Sequence, residues 1–368
     1  MAAEVLAGRP IDEFDKNFEE YKRLAEMGDK IAQYNLGLCY AKGTGVAIDM
    51  PKAIKWYTLA AEAGESKAQF NLGTCYDNGD GVTVDKREAV KWYTRGAEAG
   101  EVGAQFMLGQ SLFNGIGVAV DKHEVIKWYT RAAEAGSADA QFNLGACFSK
   151  GDGVAVDKRE AFKWYKHAAE AGYAEAQCNL GNSYLNGAGV KVDKLEAFKW
   201  YKRAAEAGHA VAQFNLGISY MNGEGVTVDK REAFKWYTRA AEAGSADAQF
   251  NLGNSYLNGD GVTVNKIEAF KWYKRAAEAG CVEAYLNLGT CYHKGYGVIV
   301  NKREAVKCFT RGAEAGDAGA QFNLGVCYLK GDGIAVDKTE AIKWFTRAAE
   351  AGHAKAQNVL NSLQEARS

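Results

Sequence analysis

The sequence predicts an all-α fold, a solenoid built from nine consecutive 36-residue helix pairs. Three observations predict it: a glycine that returns every 36 residues, a tryptophan that keeps one register, and helix start and stop signals inside every period. The period opens at Gly28 and again at Gly64, Gly100, Gly136, Gly172, Gly208, Gly244, Gly280 and Gly316, and it closes at Ala351. At 368 residues an ordinary chain would suggest two or three globular domains. Repetition overrides that expectation, because stacked repeats share one elongated core. The organisation expected is an N-terminal capping helix (a half-repeat) over 1–27, nine repeats over 28–351, and a C-terminal capping half-repeat over 352–368.

The unit 208–243 shows how each element arises. Ala212, Leu216 and Ser219/Tyr220 recur at helical spacing and form one face of a first helix. Gly223 and Gly225 interrupt it, and Val226 and Val228 are expected to tuck inward from the loop. Asp229, with Glu232 three residues later, is the pattern of a capping box, in which cap and glutamate satisfy each other's backbone N–H. The pattern recurs in eight of nine units; Asp49-Met-Pro-Lys lacks the glutamate, and Pro51 suits a first helical turn instead. Ala233, Trp236, Tyr237, Ala240 and Ala241 form the buried stripe of the second helix, which Gly244 ends from the C′ position. All eight tryptophans (56, 92, 128, 164, 200, 236, 272 and 344) share one register, and Cys308 takes the ninth place. Each indole can bury about 150–250 Å², about 4–6 kcal/mol gross. That offsets the helix-interior glycines from Gly37 to Gly325, which cost ~1 kcal/mol each against alanine and imply close helix approach. In the last half-unit Asn358 and Asn361 stand where phenylalanine and glycine usually do, as a solvated end helix requires.

Composition narrows the function. The 45 basic and 46 acidic residues nearly cancel, so no concentrated basic surface points to nucleic acid. No apolar run is long enough to span a bilayer, and no signal-peptide pattern opens the chain. Cys39, Cys75, Cys147, Cys291 and Cys327 share a register with Ser111, Ser183, Ser219 and Ser255, which reads as packing by a small residue. Lone thiols of this kind suit a reducing, cytoplasmic compartment.

The pattern A-x-x-x-L-G-x-x-Y-x-x-G-x-G-V followed by D-x-x-E-A-x-K-W-Y-x-x-A-A-x-x-G resembles the Sel1-like repeat, a relative of the tetratricopeptide repeat with a longer internal loop. The resemblance covers about nine-tenths of the chain. It implies a right-handed superhelix of antiparallel helix pairs, first helices lining the concave side, and adaptor work in protein complexes. Cysteine-rich members of the family staple each repeat with a disulfide; this chain has Ala133 and Gln141 at the matching positions, so that staple is absent.

Catalytic and metal motifs do not emerge. Gly79-Asp80-Gly81 follows a helix and lacks the G-x-G-x-x-G spacing of a phosphate loop. Aligned as a calcium loop it would put Tyr76 and Arg87 where acidic ligands are needed. The five histidines fall in four registers and no Cys-x-x-Cys occurs, so neither a metal nor a cofactor is expected. There is no Ser-x-x-Lys, which bears on the penicillin binding or hydrolysis linked to some family members.

One constellation remains. Val211, Asn215, Ile218 and Asn222 share a narrow band of the first helix, turned away from its packed stripe. The asparagine recurs as Asn35, Asn71, Asn143, Asn179, Asn215, Asn251, Asn287 and Asn323, broken only by Met107, while the register beside it varies from Leu38 and Thr74 to Asn254 and Val326. A carboxamide donates and accepts at once, so a row of them can grip an extended peptide backbone while variable neighbours read its side chains. The competing expectation is that the asparagine bonds the neighbouring repeat's backbone and merely fixes the superhelical pitch, since asparagine is a poor helix former. Lys42, Lys150, Lys294 and Lys330 lie at the edge of the same face. The function expected is thus a monomeric, non-enzymatic adaptor for a protein or peptide partner. A β-lactam hydrolase and a passive spacer are the alternatives.

Overall fold

The computed structural model describes residues 11–365, and every element in that range is helical. Of the two expected end helices, residues 1–10 and 366–368 lie outside the described residues. The chain divides into two compact units, one running to Ser183 and including 187–191, the other comprising 184–186 and 192 onward. The first unit holds α1 (Ile11–Glu26), α2 (Lys30–Lys42), α3 (Met50–Glu62), α4 (Ser66–Asn78), α5 (Lys86–Glu98), α6 (Val102–Asn114), α7 (Lys122–Glu134), α8 (Ala138–Lys150), α9 (Lys158–Glu170) and most of α10 (Ala174–Asn186). The second holds α11 (Lys194–Glu206), α12 (Ala210–Asn222), α13 (Lys230–Glu242), α14 (Ala246–Asn258), α15 (Lys266–Glu278), α16 (Val282–Lys294), α17 (Lys302–Glu314), α18 (Ala318–Lys330), α19 (Lys338–Glu350) and α20 (Ala354–Glu365). Consecutive helices pack on one another from α1 to α9 and from α11 to α20, and Gln177 of α10 donates to Ala169 O of α9.

The pairing within a repeat is set by the helix-interior glycine. A Cβ on Gly37, Gly73, Gly109 or Gly145 would sit 2.6 to 2.8 Å from the ring of Tyr57, Tyr93, Tyr129 or Tyr165 on the following helix. Gly217 and Gly253 meet Tyr237 and Tyr273 in the same way, and Gly289 and Gly325 meet Phe309 and Phe345. The deepest large side chain of each second helix is therefore this ring rather than the tryptophan before it. Tyr237 is 3% exposed and Tyr273 0%, whereas Trp236 is 8% exposed and Trp56, Trp92 and Trp272 are only half-buried. Six of the eight tryptophans instead lie under an arginine three residues on, as Trp236 does under Arg239 at 4.5 Å, a cation–π contact.

Two local expectations are corrected. Val228 does not tuck inward: it is 57% exposed, as are its equivalents from Ile48 to Val336, and only the Val226 register packs on the core. The second is the capping box, of which only half forms. Asp229 Oδ1 accepts from Arg231 N and Glu232 N, but the Asp229 N–H donates to Tyr220 O at 2.9 Å. Its partner taken, Glu232 turns to Lys235 instead. The same N–H to carbonyl bond recurs at Asp85 to Tyr76 and Asp157 to Phe148 in the first unit, so the cap also ties the two helices of a repeat together.

The loop glycines decide how one repeat meets its predecessor. Gly225 has φ +75, which favours glycine, and a Cβ there would overlap the Lys194 carbonyl at the start of α11. Gly261 meets Lys230, and in the first unit Gly117 meets Lys86, in the same manner. Each loop thus rests on the second helix of the repeat before it. Charge follows the same route: Lys122 reaches Asp152 at 3.2 Å, and Lys230 reaches Asp260 at 2.7 Å.

Candidate functional site

All eight asparagines of the sequence-predicted row lie half-buried on first helices, four in each unit. Half-burial forces their amides to find partners, and for Asn71, Asn143, Asn179, Asn251 and Asn287 a partner is the deep tyrosine of the preceding repeat. Asn71 bonds the Tyr57 hydroxyl and reaches Tyr34. Asn143 bonds Tyr129, Asn179 bonds Tyr165, Asn251 bonds Tyr237 and Asn287 bonds Tyr273. At the last of these a small network closes: Tyr273 Oη donates to Asn254 Oδ1 at 2.7 Å, and Asn287 Nδ2 donates to the same oxygen at 3.1 Å. Burial pushes Tyr129 and Tyr237 up to about 12, with the asparagine bond pulling back against it. These phenols stay protonated across the physiological range. One side of these five amides thus meets a tyrosine side chain of the neighbouring repeat rather than its backbone. A carboxamide has two N–H donors and a carbonyl acceptor, so one such bond leaves capacity for another partner.

Each unit has a cleft on this face. In the first, a cleft of about 380 Å³ is lined by Asn143 and Asn179 together with Gln110 and Ala146 of the variable register, with Lys150 at its edge. In the second, a cleft of about 190 Å³ is lined by Asn323, Thr290, Val326, His293, Lys294 and Phe309. Phe309 brings no hydroxyl to Asn323, and His293 Nδ1 is buried there without a hydrogen bond. Asn35 and Asn215 occupy the same register on α2 and α12 but line neither cleft.

Sequence reasoning missed a second polar row. Gln33, Gln69, Gln105, Gln141 and Gln177 in the first unit, and Gln213, Gln249 and Gln321 in the second, are buried beside the packed alanine of each first helix. Each donates from Nε2 to a carbonyl eight residues earlier, as Gln213 does to Ala205 O at 3.2 Å, while its Oε1 accepts nothing. The signal was available: one polar type recurring at one register inside an apolar stripe.

The chemistry of the cysteines is that of packing. All eight are buried thiols, and burial pushes Cys75, Cys147, Cys291 and Cys327 up to about 11. Among the described residues no group of three or more His, Cys, Asp or Glu side chains is placed to hold a metal ion, and no helix is long and apolar enough to cross a membrane.

The Sel1 repeat matches the chain in nine consecutive stretches, 30–65, 66–101, 102–137, 138–173, 174–209, 210–245, 246–281, 282–317 and 318–353. The chain belongs to the Sel1-repeat family. No curated protein matches it by sequence, but solved Sel1-repeat structures do. It is similar to c5321, a protective antigen present in uropathogenic Escherichia coli strains that displays this fold. The two are 34% identical over 94% of this chain and 82% of that one, with a TM-score of 0.76. A Sel1 repeat protein from Oxalobacter formigenes is 32% identical over 89% of this chain and 93% of that one, with a TM-score of 0.66. The Sel1-repeat assignment bears out the solenoid class expected from the 36-residue period. Sel1-repeat proteins commonly mediate protein–protein interaction, and the fold is typically a non-enzymatic scaffold.

Proposed function

We propose that this Sel1-repeat chain is a non-enzymatic adaptor that holds an extended peptide or a partner protein on its first-helix face, with α1 and α20 closing the ends of the repeat array. Asn35, Asn71, Asn143 and Asn179 would serve one unit, and Asn215, Asn251, Asn287 and Asn323 the other. The observation that carries this reading is the cleft in the first unit. It brings two amides of the row, Asn143 and Asn179, together with the variable residues Gln110 and Ala146. Amides paired on one side with tyrosine are held in fixed orientation, which lowers the entropy lost on gripping a backbone. The variable register supplies specificity, and nothing in the argument asks the chain to make or break a covalent bond.

The test must separate gripping from packing. Asn143 and Asn179 replaced together by alanine remove the amides, while Tyr129→Phe with Tyr165→Phe removes only the packing bonds. Partners captured by the intact chain and identified by mass spectrometry are expected to be lost from the first variant and kept, with weaker capture, by the second, at equal helicity. An unchanged partner set on the alanine variant overturns the reading. Turnover of nitrocefin, abolished by a point mutation, would overturn the non-enzymatic part.

A further inference from the structure

The repeat 280–315 departs from the others at its tryptophan position, where Cys308 stands. A pocket of about 580 Å³ opens there between α15, α16 and α17. Two groups can hold the indole at this position in other repeats: an arginine lies over it at Trp92, Trp128, Trp200, Trp236, Trp272 and Trp344, and a glutamate takes its N–H at Trp128. The arginine three residues on lies over the ring, at 4.7 Å for Arg95 on Trp92 and 4.5 Å for Arg203 on Trp200. The glutamate four residues before can take the ring N–H, as Trp128 Nε1 donates to Glu124 Oε2 at 3.1 Å. Both groups persist in this repeat as Arg311 and Glu304, and both line the pocket. With no indole beneath it, Arg311 lies 5.9 Å over Tyr285, an aromatic residue where eight other repeats carry the buried glutamine. Glu304 pairs with Lys307 at 2.6 Å, just as Glu124 pairs with Lys127 while accepting the indole N–H. That ion pair therefore does not block the acceptor.

We propose that this pocket binds an indole, or a flat aromatic ring of that size, supplied by a ligand in place of the missing side chain. Leu288 and Cys308 form the apolar floor, Tyr285 and Tyr292 the walls, Glu304 the N–H acceptor and Arg311 the cation over the ring face. Burial pushes the Cys308 thiol up to about 11, so at neutral pH it is a small uncharged group that a ring can pack against. A pocket with most of its wall apolar and a few converging polar groups is the usual form of a small-ligand site. Its α16 residues, Tyr285, Leu288 and Tyr292, lie on a different side of that helix from Asn287. The site is therefore independent of the proposed peptide face, and either can fail alone.

The test is fluorine NMR of fluoroindole with the full chain. Saturable line broadening is expected, with a Kd on the order of 1 mM for so small a ligand. Cys308→Trp restores the residue found in the other eight repeats and is expected to abolish binding while preserving helicity. Arg311→Gln is expected to weaken it about 3- to 10-fold through loss of the cation–π contact. N-acetyl-tryptophanamide identifies the source. Competition by it assigns the site to a tryptophan side chain of a partner, and fluoroindole binding without that competition assigns it to a free small molecule. Binding that does not saturate, or that survives unchanged in Cys308→Trp, overturns the proposal.

Discussion

Replacing Gly217 by alanine sets two known effects against each other. Alanine is the better helix former by about 1 kcal/mol, so an isolated α12 would gain. In the folded chain the new Cβ would sit 2.6 Å from both Cδ1 and Cε1 of Tyr237, roughly 1 Å inside ordinary van der Waals contact. The ring cannot swing outward, because Tyr237 is 3% exposed and its hydroxyl is bonded to Asn251. Overpacking of a filled core costs about 1–3 kcal/mol, and the upper half of that range applies to a ring held on all sides. The net expectation is a loss of about 1–2 kcal/mol, a factor of about 5–30 in the local opening equilibrium. Long repeat arrays depart from two-state unfolding, so the readout is native-state hydrogen exchange of amides in α12 and α13. Their protection is expected to fall by that factor. A second variant, Tyr237→Leu in the Gly217→Ala background, is expected to restore part of the loss. Protection equal to or above that of the unmodified chain would refute the claim that the glycine exists to admit the ring.

Gly225→Ala and Gly208→Ala both place a side chain at positive φ, but only the first collides with the Lys194 backbone; nothing lies within 4 Å of a Cβ at Gly208. Chemical denaturation is expected to show a loss of about 1 kcal/mol for Gly208→Ala and a distinctly larger one for Gly225→Ala. Gln213→Glu puts a carboxylate against the Ala205 carbonyl with no donor nearby. The variant is expected to be close to the unmodified chain below the ordinary glutamate pKa of about 4.3 and to lose about 2 kcal/mol or more by neutral pH, as urea melts at both pH values would show. The thiols titrate in the same sense. Burial raises Cys75, Cys147, Cys291 and Cys327 to about 11, so the unfolded chain releases their protons first. Their contribution is complete below the unfolded thiol pKa and declines as pH rises toward 11. Tm is expected to fall above about pH 9, and Ellman's reagent to label the native thiols slowly at pH 8.

The helix pattern was legible because its signals are local. In 208–243 the caps and glycines mark the start of α13 at Asp229 and its stop signal at Gly244; the structure has Asp229 as the N-cap, Glu242 as the last helical residue and Ala243 as the C-cap, with Gly244 just beyond it at φ +92. What escaped depends on the far side of a contact. Trp236 and Tyr237 are neighbours on one stripe, and only the glycine facing them from α12 selects the tyrosine for the deepest place. The glutamate of the capping box lost its expected partner to Tyr220 O, a bond from another helix. Val228 was misplaced because a loop has no periodicity from which to read its inward side. The buried glutamine row hid in plain view, since a polar side chain inside an apolar stripe reads as surface until a helix-end carbonyl is found opposite. The asparagine row was read as a face of the first helix, which holds, but its tyrosine partners belong to the preceding repeat and have no trace in the spacing.

The loop glycine that rests on the preceding repeat gives the array a direction. Gly225 settles against Lys194 and Gly261 against Lys230, so these loops lean toward residues about thirty places earlier. A chain leaving the ribosome meets this order naturally: each newly emerged loop finds its seat already synthesised. Assembly can then advance one repeat at a time behind the growing end, and no finished loop waits for a surface that has yet to be made.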